Sequence, residues 1–311
     1  MQFMRLPTEM IKPIKLGGAV VPLVTPITSG GQLDFAALDR LIESQISGGV
    51  EGLLILGTTG EGPCIPRTLR LRLLEHVVLT ARGRLVIYAN VAENSLADTI
   101  ASAREYIAAG AEVIAVLPPF YFPARPVELE VWFRTLLDAA PGPVVLYNIP
   151  LTTRVSIPLE VIGELVGHPS LVGIKDSEND PKRHEELLRR FGGRPDFSIF
   201  IGVGALMAQG LRSGADGIVP SVGNLIPQAC QQQVTAARRH DWAAVDAIAA
   251  RQAEVAAVYQ KGRTLAQSIS ALKAMLQIRG ICSSEVFLPL LPMAATEVEV
   301  LRGELEKLHL P

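Results

Sequence analysis

Cysteine and histidine are scarce in this sequence, and neither is spaced as a ligand set. Three cysteines, Cys64, Cys230 and Cys282, lie far apart in 311 residues. This spacing argues against a zinc knuckle, an iron–sulfur site or a disulfide framework, and it fits a reducing cytoplasm. The five histidines are scattered over predicted helices and loops, so we expect solvent-facing or capping roles and no metal site (His76, His168, His184, His240 and His309).

Long apolar runs and an excess of charge are also missing. Residues 1–16 lack the apolar core and cleavage site of a signal peptide, and no 18-residue uncharged apolar span occurs. The formal net charge is -2 and the basic residues are dispersed, which leaves no electrostatic footprint for nucleic acid or an anionic membrane. We therefore expect a cytoplasmic protein that binds a small molecule, with no nucleic-acid or membrane partner.

What the sequence does contain is a repeated alternation of short apolar runs and longer amphipathic segments. With 49% hydrophobic and 19% charged residues, the chain can bury a large core. From residue 17 the alternation recurs about eight times, as in parallel strands joined by helices. The predicted strands are 19–25, 52–57, 85–90, 113–117, 144–148, 171–176, 198–202 and 217–221. The predicted helices between them include 35–47, 67–82, 95–109, 127–140, 158–166 and 182–191.

Eight strands favour a closed barrel over an open sheet. A doubly wound sheet would show the same alternation, but Pro-Leu-Val-Thr-Pro stands at 22–26, where such a sheet carries a glycine-rich dinucleotide turn. We predict an α/β fold, a (β/α)8 TIM barrel over residues 17–224. Residues 225–311 are predicted to hold the final barrel helix and a C-terminal helical extension of the same domain, including helices over 242–260 and 264–279.

One lysine lies in an otherwise apolar strand. Lys175 follows Leu-Val-Gly-Ile at 171–174, and a lysine is almost never fully buried without a reason. Burial disfavours the charged form of an amine, and a neutral lysine is a nucleophile able to form a Schiff base with a carbonyl group. Taken alone, Lys175 is more simply interpreted as an end-of-strand lysine that reaches solvent, and the rest of the chain reverses that preference. Gly173 beside it is expected to leave space for a substrate.

Other polar residues stand where predicted strands end, which is where barrel enzymes place their chemistry. Gly-Thr-Thr-Gly-Glu at 57–61 offers backbone N–H groups and hydroxyls to a carboxylate, or is only a tight turn whose Glu61 caps the next helix. Tyr147 ends the fifth strand and shares a face with Val145, so strand alternation allows it to point into the barrel. Because core tyrosines are common, a purely structural role is the alternative. Tyr121 lies in an aromatic, proline-rich loop that suits either catalysis or packing between subunits.

Taken together, three motifs resemble those of the dihydrodipicolinate synthase and N-acetylneuraminate lyase family. They are Gly-Thr-Thr-Gly-Glu at 57–61, Tyr-Asn-Ile-Pro at 147–150 and Gly-Ile-Lys-Asp-Ser at 173–177, and the resemblance covers about residues 17 to 300. It implies a (β/α)8 barrel with a C-terminal helical extension, usually assembled as a tetramer. It also implies a class I aldolase that needs no cofactor and whose lysine forms a Schiff base with pyruvate or another 2-oxo acid.

The resemblance assigns roles position by position. Lys175 matches the Schiff-base residue and Tyr147 the proton shuttle, while Thr58 and Thr59 match the residues that hold the substrate carboxylate and pass protons. Tyr121 matches a tyrosine that many members lend across a dimer interface, so a homodimer or homotetramer is expected. Gly202 and Val219 match backbone positions that line the pocket near the lysine.

Two positions depart from well-known branches of the family. Lysine-pathway members carry an arginine where this chain has Thr152, and Arg154 lies two residues further on; sialic-acid lyases have acidic residues where Val-Gly-Ala stands at 203–205. We therefore expect cleavage or dehydration of a 2-keto-3-deoxy sugar acid or related 2-oxo acid, with Thr152 and Thr153 binding the polyol chain. The alternatives are 4-hydroxy-tetrahydrodipicolinate (dihydrodipicolinate) synthase, which condenses pyruvate with aspartate semialdehyde, and a non-catalytic homologue that binds a 2-oxo acid.

Overall fold

Eight parallel strands close into a barrel in a computed structural model that describes residues 15–310. Each strand pairs with its neighbours in sequence, and β8 pairs with β1. The strands are β1 (Gly18–Pro22), β2 (Gly52–Ile55), β3 (Val86–Val91), β4 (Val113–Val116), β5 (Val144–Asn148), β6 (Leu171–Asp176), β7 (Ser198–Ile201) and β8 (Gly217–Ile218). The predicted (β/α)8 fold is confirmed.

Helices follow the strands and cover the outside of the barrel. They are α1 (Phe35–Ser47), α2 (Arg67–Ala81), α3 (Leu96–Ala108), α4 (Pro126–Ala139), α5 (Pro150–Thr153), α6 (Leu159–Leu165), α7 (Pro181–Phe191), α8 (Met207–Arg212) and α9 (Pro227–Arg238). Several begin where sequence chemistry predicts a start: Asp34, Ser95 and Asp180 accept hydrogen bonds from N–H groups of the first turn. The one-turn helix α5 and the short α8 were not predicted.

The core has two layers. The larger lies between the strands and the surrounding helices, where the outward-facing aliphatic residues of each strand meet the apolar faces of the helices. The smaller fills the barrel interior, with Val20, Leu54, Tyr88 and Phe200 among its members. The interior side chains pack in layers, so the barrel is solid below its carboxyl-terminal end.

Three further helices form the C-terminal extension: α10 (Trp242–Gln260), α11 (Leu265–Ile278) and α12 (Ala295–Lys307). Helix α10 packs on α9 and α11, and α12 packs on α10 and α11. Every side chain from Ser268 to Leu276 is buried, so α11 is enclosed on all sides. The domain boundary at 224/225 stays a prediction, and it precedes α9 by two residues.

Within residues 15–310, no helix combines the length and the hydropathy that crossing a bilayer requires. The expectation that no signal peptide is present concerns residues 1–16, of which the first fourteen lie outside the described range.

Candidate active site

Lys175 lies on β6 inside the barrel and is only 6% exposed. Its Nζ atom stands over the ring of Tyr147, 3.8 Å from the ring centroid. No hydrogen bond or ion pair joins this Nζ to any of residues 15–310. A buried amine without a hydrogen-bonding partner is costly, so the position suits an amine that a ligand will use.

Tyr147 connects the lysine to the first motif. It lies directly opposite Lys175 in the register of β5 and β6, and it is buried. Its hydroxyl is 3.2 Å from the hydroxyl of Thr58, and either oxygen can donate. The order Lys175, Tyr147 ring, Tyr147 hydroxyl, Thr58 hydroxyl is therefore continuous, and it joins β2, β5 and β6 at one end of the barrel.

Thr58 and Thr59 belong to a strained turn after β2, called here the threonine turn (residues 56–62). Two non-glycine residues in it, Leu56 and Glu61, have left-handed backbones with φ of 59°. A Cβ on Gly60 would come within 2.6 Å of the Leu23 carbonyl oxygen, so the turn packs against the end of β1 by its bare backbone.

The N–H groups of the threonine turn are the feature that suits an anion. The amides of Thr58, Thr59 and Gly60 donate to no acceptor within residues 15–310, whereas those of Glu61 and Gly62 bond back to carbonyls of the turn. Successive free amides beside a hydroxyl form a concavity for a carboxylate. The turn therefore places anion-binding groups next to Tyr147.

A small apolar cavity, with room for about one water molecule, borders Lys175 among the interior side chains of the barrel. It is lined by side chains of seven strands or strand ends, namely Val20, Leu54, Tyr88, Ala115, Val145, Phe200 and Val219. Gly202 stands beside the lysine, where a Cβ would lie 3.2 Å from Lys175 Cε and overlap the Ser177 hydroxyl. The two positions predicted to line the pocket, Gly202 and Val219, both lie next to Lys175.

Glycine is required at position 173 for a different reason from the one expected. A Cβ there would overlap the carbonyl oxygen of Ser198 on β7. This glycine therefore allows β6 and β7 to approach each other, and the space along the lysine comes from Gly202 instead.

The ends of β5 and β6 are held together by a buried polar network. Asn148 Nδ2 donates to both carboxylate oxygens of Asp176, at 3.1 and 3.2 Å, and these two residues are opposite each other in the register. Arg183 pairs with the same carboxylate at 2.8 Å, and His184 lies 3.4 Å from it. Because Asn148 and Asp176 each follow a site residue in the chain, the network fixes the spacing of Tyr147 and Lys175.

Burial alone would raise the pKa of Asp176. The hydrogen bond from His184, the charge of Arg183 and the Glu178 N–H outweigh burial, and the pKa lies below its ordinary value. Asp176 is therefore a charged structural partner, and strand alternation directs it away from the face that carries Lys175. The expectation of a solvent-facing or capping role is wrong for His184, which is buried against this carboxylate.

Two predicted site residues lie apart from this constellation. Tyr121 is 75% exposed, and its ring contacts Phe122 at a centroid distance of 5.0 Å. Its backbone N–H donates to Asn94 Oδ1, so its loop is held while its side chain projects from the subunit. Thr152 is exposed on α5, and its hydroxyl bonds the Ile149 carbonyl. The expectation for Thr153 is wrong, because this residue is buried and its hydroxyl bonds backbone carbonyls. Thr59 is half-buried beside Thr58.

Glu61 does not cap a helix, contrary to expectation. It precedes the short 3-10 helix Gly62–Cys64, and its side chain makes no capping bond there. Its carboxylate instead meets Lys273 Nζ at 2.8 Å, and both side chains are fully buried. Sequence reasoning missed Lys273, although a lysine within the apolar run Ser-Ala-Leu-Lys-Ala-Met-Leu at 270–276 carries the same signal that singled out Lys175.

The comparisons with known proteins agree with this geometry. The Dihydrodipicolinate synthetase family profile matches residues 15–308. The chain belongs to this family. A 4-hydroxy-tetrahydrodipicolinate synthase of Sorangium cellulosum is 35% identical over 282 residues, which is 90% of this chain and 91% of the relative. An uncharacterized DapA-like lyase of Chloroflexus aurantiacus is 34% identical over 302 residues, covering 94% and 96% of the two chains.

Solved structures of the dihydrodipicolinate synthetase family show the same architecture. The dihydrodipicolinate synthase of Bacteroides thetaiotaomicron superposes with a TM-score of 0.89 at 30% identity, covering 96% of this chain and 99% of that one. The resemblance drawn from the three motifs is confirmed, and the chain is an enzyme of a family of class I aldolases and lyases. Within residues 15–310, no group of three histidine, cysteine or acidic side chains is placed to hold a metal ion.

Proposed function

We propose that Lys175 forms a Schiff base with pyruvate or another 2-oxo acid. The observation that carries this proposal is the isolated amine of Lys175, 3.8 Å from the centroid of the Tyr147 ring, whose hydroxyl is 3.2 Å from that of Thr58. Family membership supports it, because the chain keeps all three motifs that the family uses. The substrate carboxylate would bind the free amides of Thr58, Thr59 and Gly60.

The proposed chemistry follows from these groups. The Lys175 amine adds to the ketone carbon, and loss of water leaves an iminium ion. The iminium accepts the electron pair released when a proton leaves the adjacent carbon or when a carbon–carbon bond to that carbon breaks, and an enamine results. Tyr147 and Thr58 pass the protons that these steps require, through their touching hydroxyls.

For the second substrate, the relatives favour the reaction that the sequence placed second. Several relatives at 31–35% identity are named 4-hydroxy-tetrahydrodipicolinate synthase. This chain would then condense the enamine of pyruvate with aspartate semialdehyde. Arg154 would supply the cation for the carboxylate of the aldehyde: it is exposed, follows α5, and has no ion pair within residues 15–310.

Thr152 favours the other candidate, cleavage or dehydration of a 2-keto-3-deoxy sugar acid. A neutral hydroxyl replaces the expected arginine, and it lies exposed on the helix that follows Tyr147. A hydroxyl can bond a polyol chain but cannot neutralise a second carboxylate.

The exposed side chain of Tyr121 supports assembly into a homo-oligomer. In the proposal, a neighbouring subunit receives this tyrosine and uses its hydroxyl to extend the relay beyond Thr58. The adjacent Phe122 is equally exposed, so the loop offers an apolar surface to that neighbour.

Borohydride trapping tests the central step. The protein would be incubated with pyruvate, reduced, digested and analysed by peptide mass spectrometry, beside the Lys175→Ala variant and a Lys182→Ala control on the exposed start of α7. We expect a pyruvate-sized adduct on the Lys175 peptide in the native protein and the control, and none in Lys175→Ala. Ligand binding without any trapped imine would favour the non-catalytic homologue.

Turnover then separates the two second substrates. Aspartate semialdehyde with pyruvate, and separately a panel of keto-deoxy sugar acids, would be supplied to the native protein and to Arg154→Ala. Condensation that is lost through a raised KM for the aldehyde in Arg154→Ala supports the synthase. Turnover of a sugar acid alone, unaffected by this substitution, supports the lyase.

A further inference from the structure

A buried ion pair connects the threonine turn to the C-terminal extension. Lys273 on α11 donates to Glu61 Oε1 at 2.8 Å and to the Thr25 carbonyl at 2.9 Å. The second oxygen of Glu61 accepts from the Phe287 N–H at 2.6 Å, in the segment after α11. The partners of this pair therefore lie in the turn, in the loop that follows β1, and in the extension.

The ion pair restrains a turn whose backbone conformation is unfavourable on its own. Leu56 and Glu61 both have left-handed backbones, which non-glycine residues keep only where the surroundings over-determine them. Three restraints act on the turn from outside: Asn90 donates to the Leu56 carbonyl at 3.1 Å, Thr25 donates to the Gly60 carbonyl at 2.7 Å, and Lys273 binds Glu61. Lys273 also fixes Thr25 itself, so it acts on the turn by two routes.

Stability alone is a poor reason for these charges. Two isosteric apolar or neutral residues would often pack as well, because desolvating both ions offsets much of their attraction. What the ion pair adds is directional geometry, at a point three residues from Thr58 and one from Gly60. Thr58 carries the hydroxyl that lies 3.2 Å from that of Tyr147, and the amides of both residues donate to no acceptor within residues 15–310.

We infer that Glu61 and Lys273 are positioning residues, which hold the hydroxyl and amides of the threonine turn in the arrangement that binds the 2-oxo acid. The C-terminal extension is then part of the active-site framework rather than an outer covering. This inference rests on the proposed function for its kinetic consequence, but the position of the turn can be measured without any substrate.

The decisive variant is the double substitution Glu61→Gln, Lys273→Met. It removes both buried charges while keeping side-chain lengths, so the melting temperature should recover most of what Lys273→Met alone loses. The methionine thioether has no hydrogen to donate to the side chain at position 61 or to the Thr25 carbonyl, so the turn stays loose. Ser268→Ala is the matched control, because it removes a buried hydroxyl from the same helix without touching the turn.

Two readouts apply to each variant. The first is amide hydrogen exchange of the peptide covering residues 56–62 in the free protein, and the second is the pyruvate concentration that gives half-maximal borohydride trapping. For the double variant we expect faster exchange in that peptide and a half-saturating concentration raised about 10- to 100-fold, as for a misplaced binding group. Ser268→Ala should match the native protein in both.

Recovery of stability together with native exchange and native half-saturation would overturn the inference, because the pair would then be structural only. Absence of any adduct in the native protein would refute the proposed function, while the exchange measurement would still decide whether the pair positions the turn. If the double variant does not fold, Glu61→Gln alone keeps the side-chain shape and an acceptor for the Phe287 N–H but removes the carboxylate charge that pairs with Lys273. Unchanged exchange of residues 56–62 in that variant would equally contradict the inference.

Discussion

Tyr147→Phe separates the chemistry of the site from its packing. The substitution keeps the buried ring against Lys175 Nζ, 3.8 Å from its centroid, and deletes only the oxygen that lies 3.2 Å from the Thr58 hydroxyl. Loss of one neutral hydrogen bond should lower the free energy of unfolding by about 1 kcal/mol. Loss of a proton shuttle should lower kcat by about 100- to 10,000-fold, equivalent to about 3–5 kcal/mol of activation free energy.

The chain offers a matched control in Tyr259→Phe. Tyr259 is also buried, and its hydroxyl lies 2.8 Å from that of Ser221, so the same atom and the same kind of hydrogen bond are lost. Both variants should show similar shifts in chemical denaturation, and only Tyr147→Phe should lose steady-state turnover. Borohydride trapping should show slower adduct formation in Tyr147→Phe than in the native protein. A Tyr147→Phe enzyme with the native kcat would refute the relay.

Three further predictions follow from buried polar groups. In urea denaturation, Lys175→Met should raise the free energy of unfolding by about 0.5–2 kcal/mol, because it removes an unpaired buried amine. Lys273→Met should lower the free energy of unfolding by about 3–5 kcal/mol, because it leaves the buried Glu61 carboxylate without its partner. Shifts of the same sign in the two variants would contradict this prediction. The pKa of Asp176 is lowered in the folded state, so its stabilising contribution is present above about pH 4 and is lost as pH falls through the folded pKa. In thermal melts, Asp176→Asn should therefore have a lower melting temperature than the native protein at neutral pH, and its melting temperature should change less with acid. Burial raises the pKa of Cys282 to about 11, so at pH 8 about one thiol in a thousand is ionised. Iodoacetamide should therefore label Cys282 only after denaturation. Rapid labelling of its peptide in the native protein would contradict this and show that the surroundings of Cys282 open.

The fold was largely predictable because its elements are regular and local. Parallel strands buried on both faces read as short apolar runs, and the intervening helices carry their own start signals, so β5 and β6 match their predicted bounds residue for residue. The strand ends were less predictable. Predicted strands such as 19–25 and 217–221 run on past the last ladder pair, because the apolar pattern continues into loops that pack against the barrel mouth.

The candidate site was predictable where residues act through strand periodicity. Alternation placed Tyr147 and Lys175 on inward faces, and the register set them opposite each other. Contacts between residues far apart in the chain were not predictable, since no local pattern records them. Glu61 meets Lys273 across 212 residues, and the reason for Gly173 depends on how closely β7 approaches β6.

The two buried lysines show why sequence alone could not finish the assignment. Both lie in apolar runs, and by burial alone both are candidates for a nucleophile. The structure distinguishes them by their partners: Lys273 has a carboxylate and a carbonyl within 2.9 Å, whereas among residues 15–310 the Lys175 amine meets only the face of an aromatic ring. The Lys273 amine is held by two oxygen partners within the protein, whereas the Lys175 amine is left open to a substrate, so Lys175 is the one placed to attack a carbonyl. The opposite stability effects predicted for their methionine variants therefore test the same distinction that selects the nucleophile.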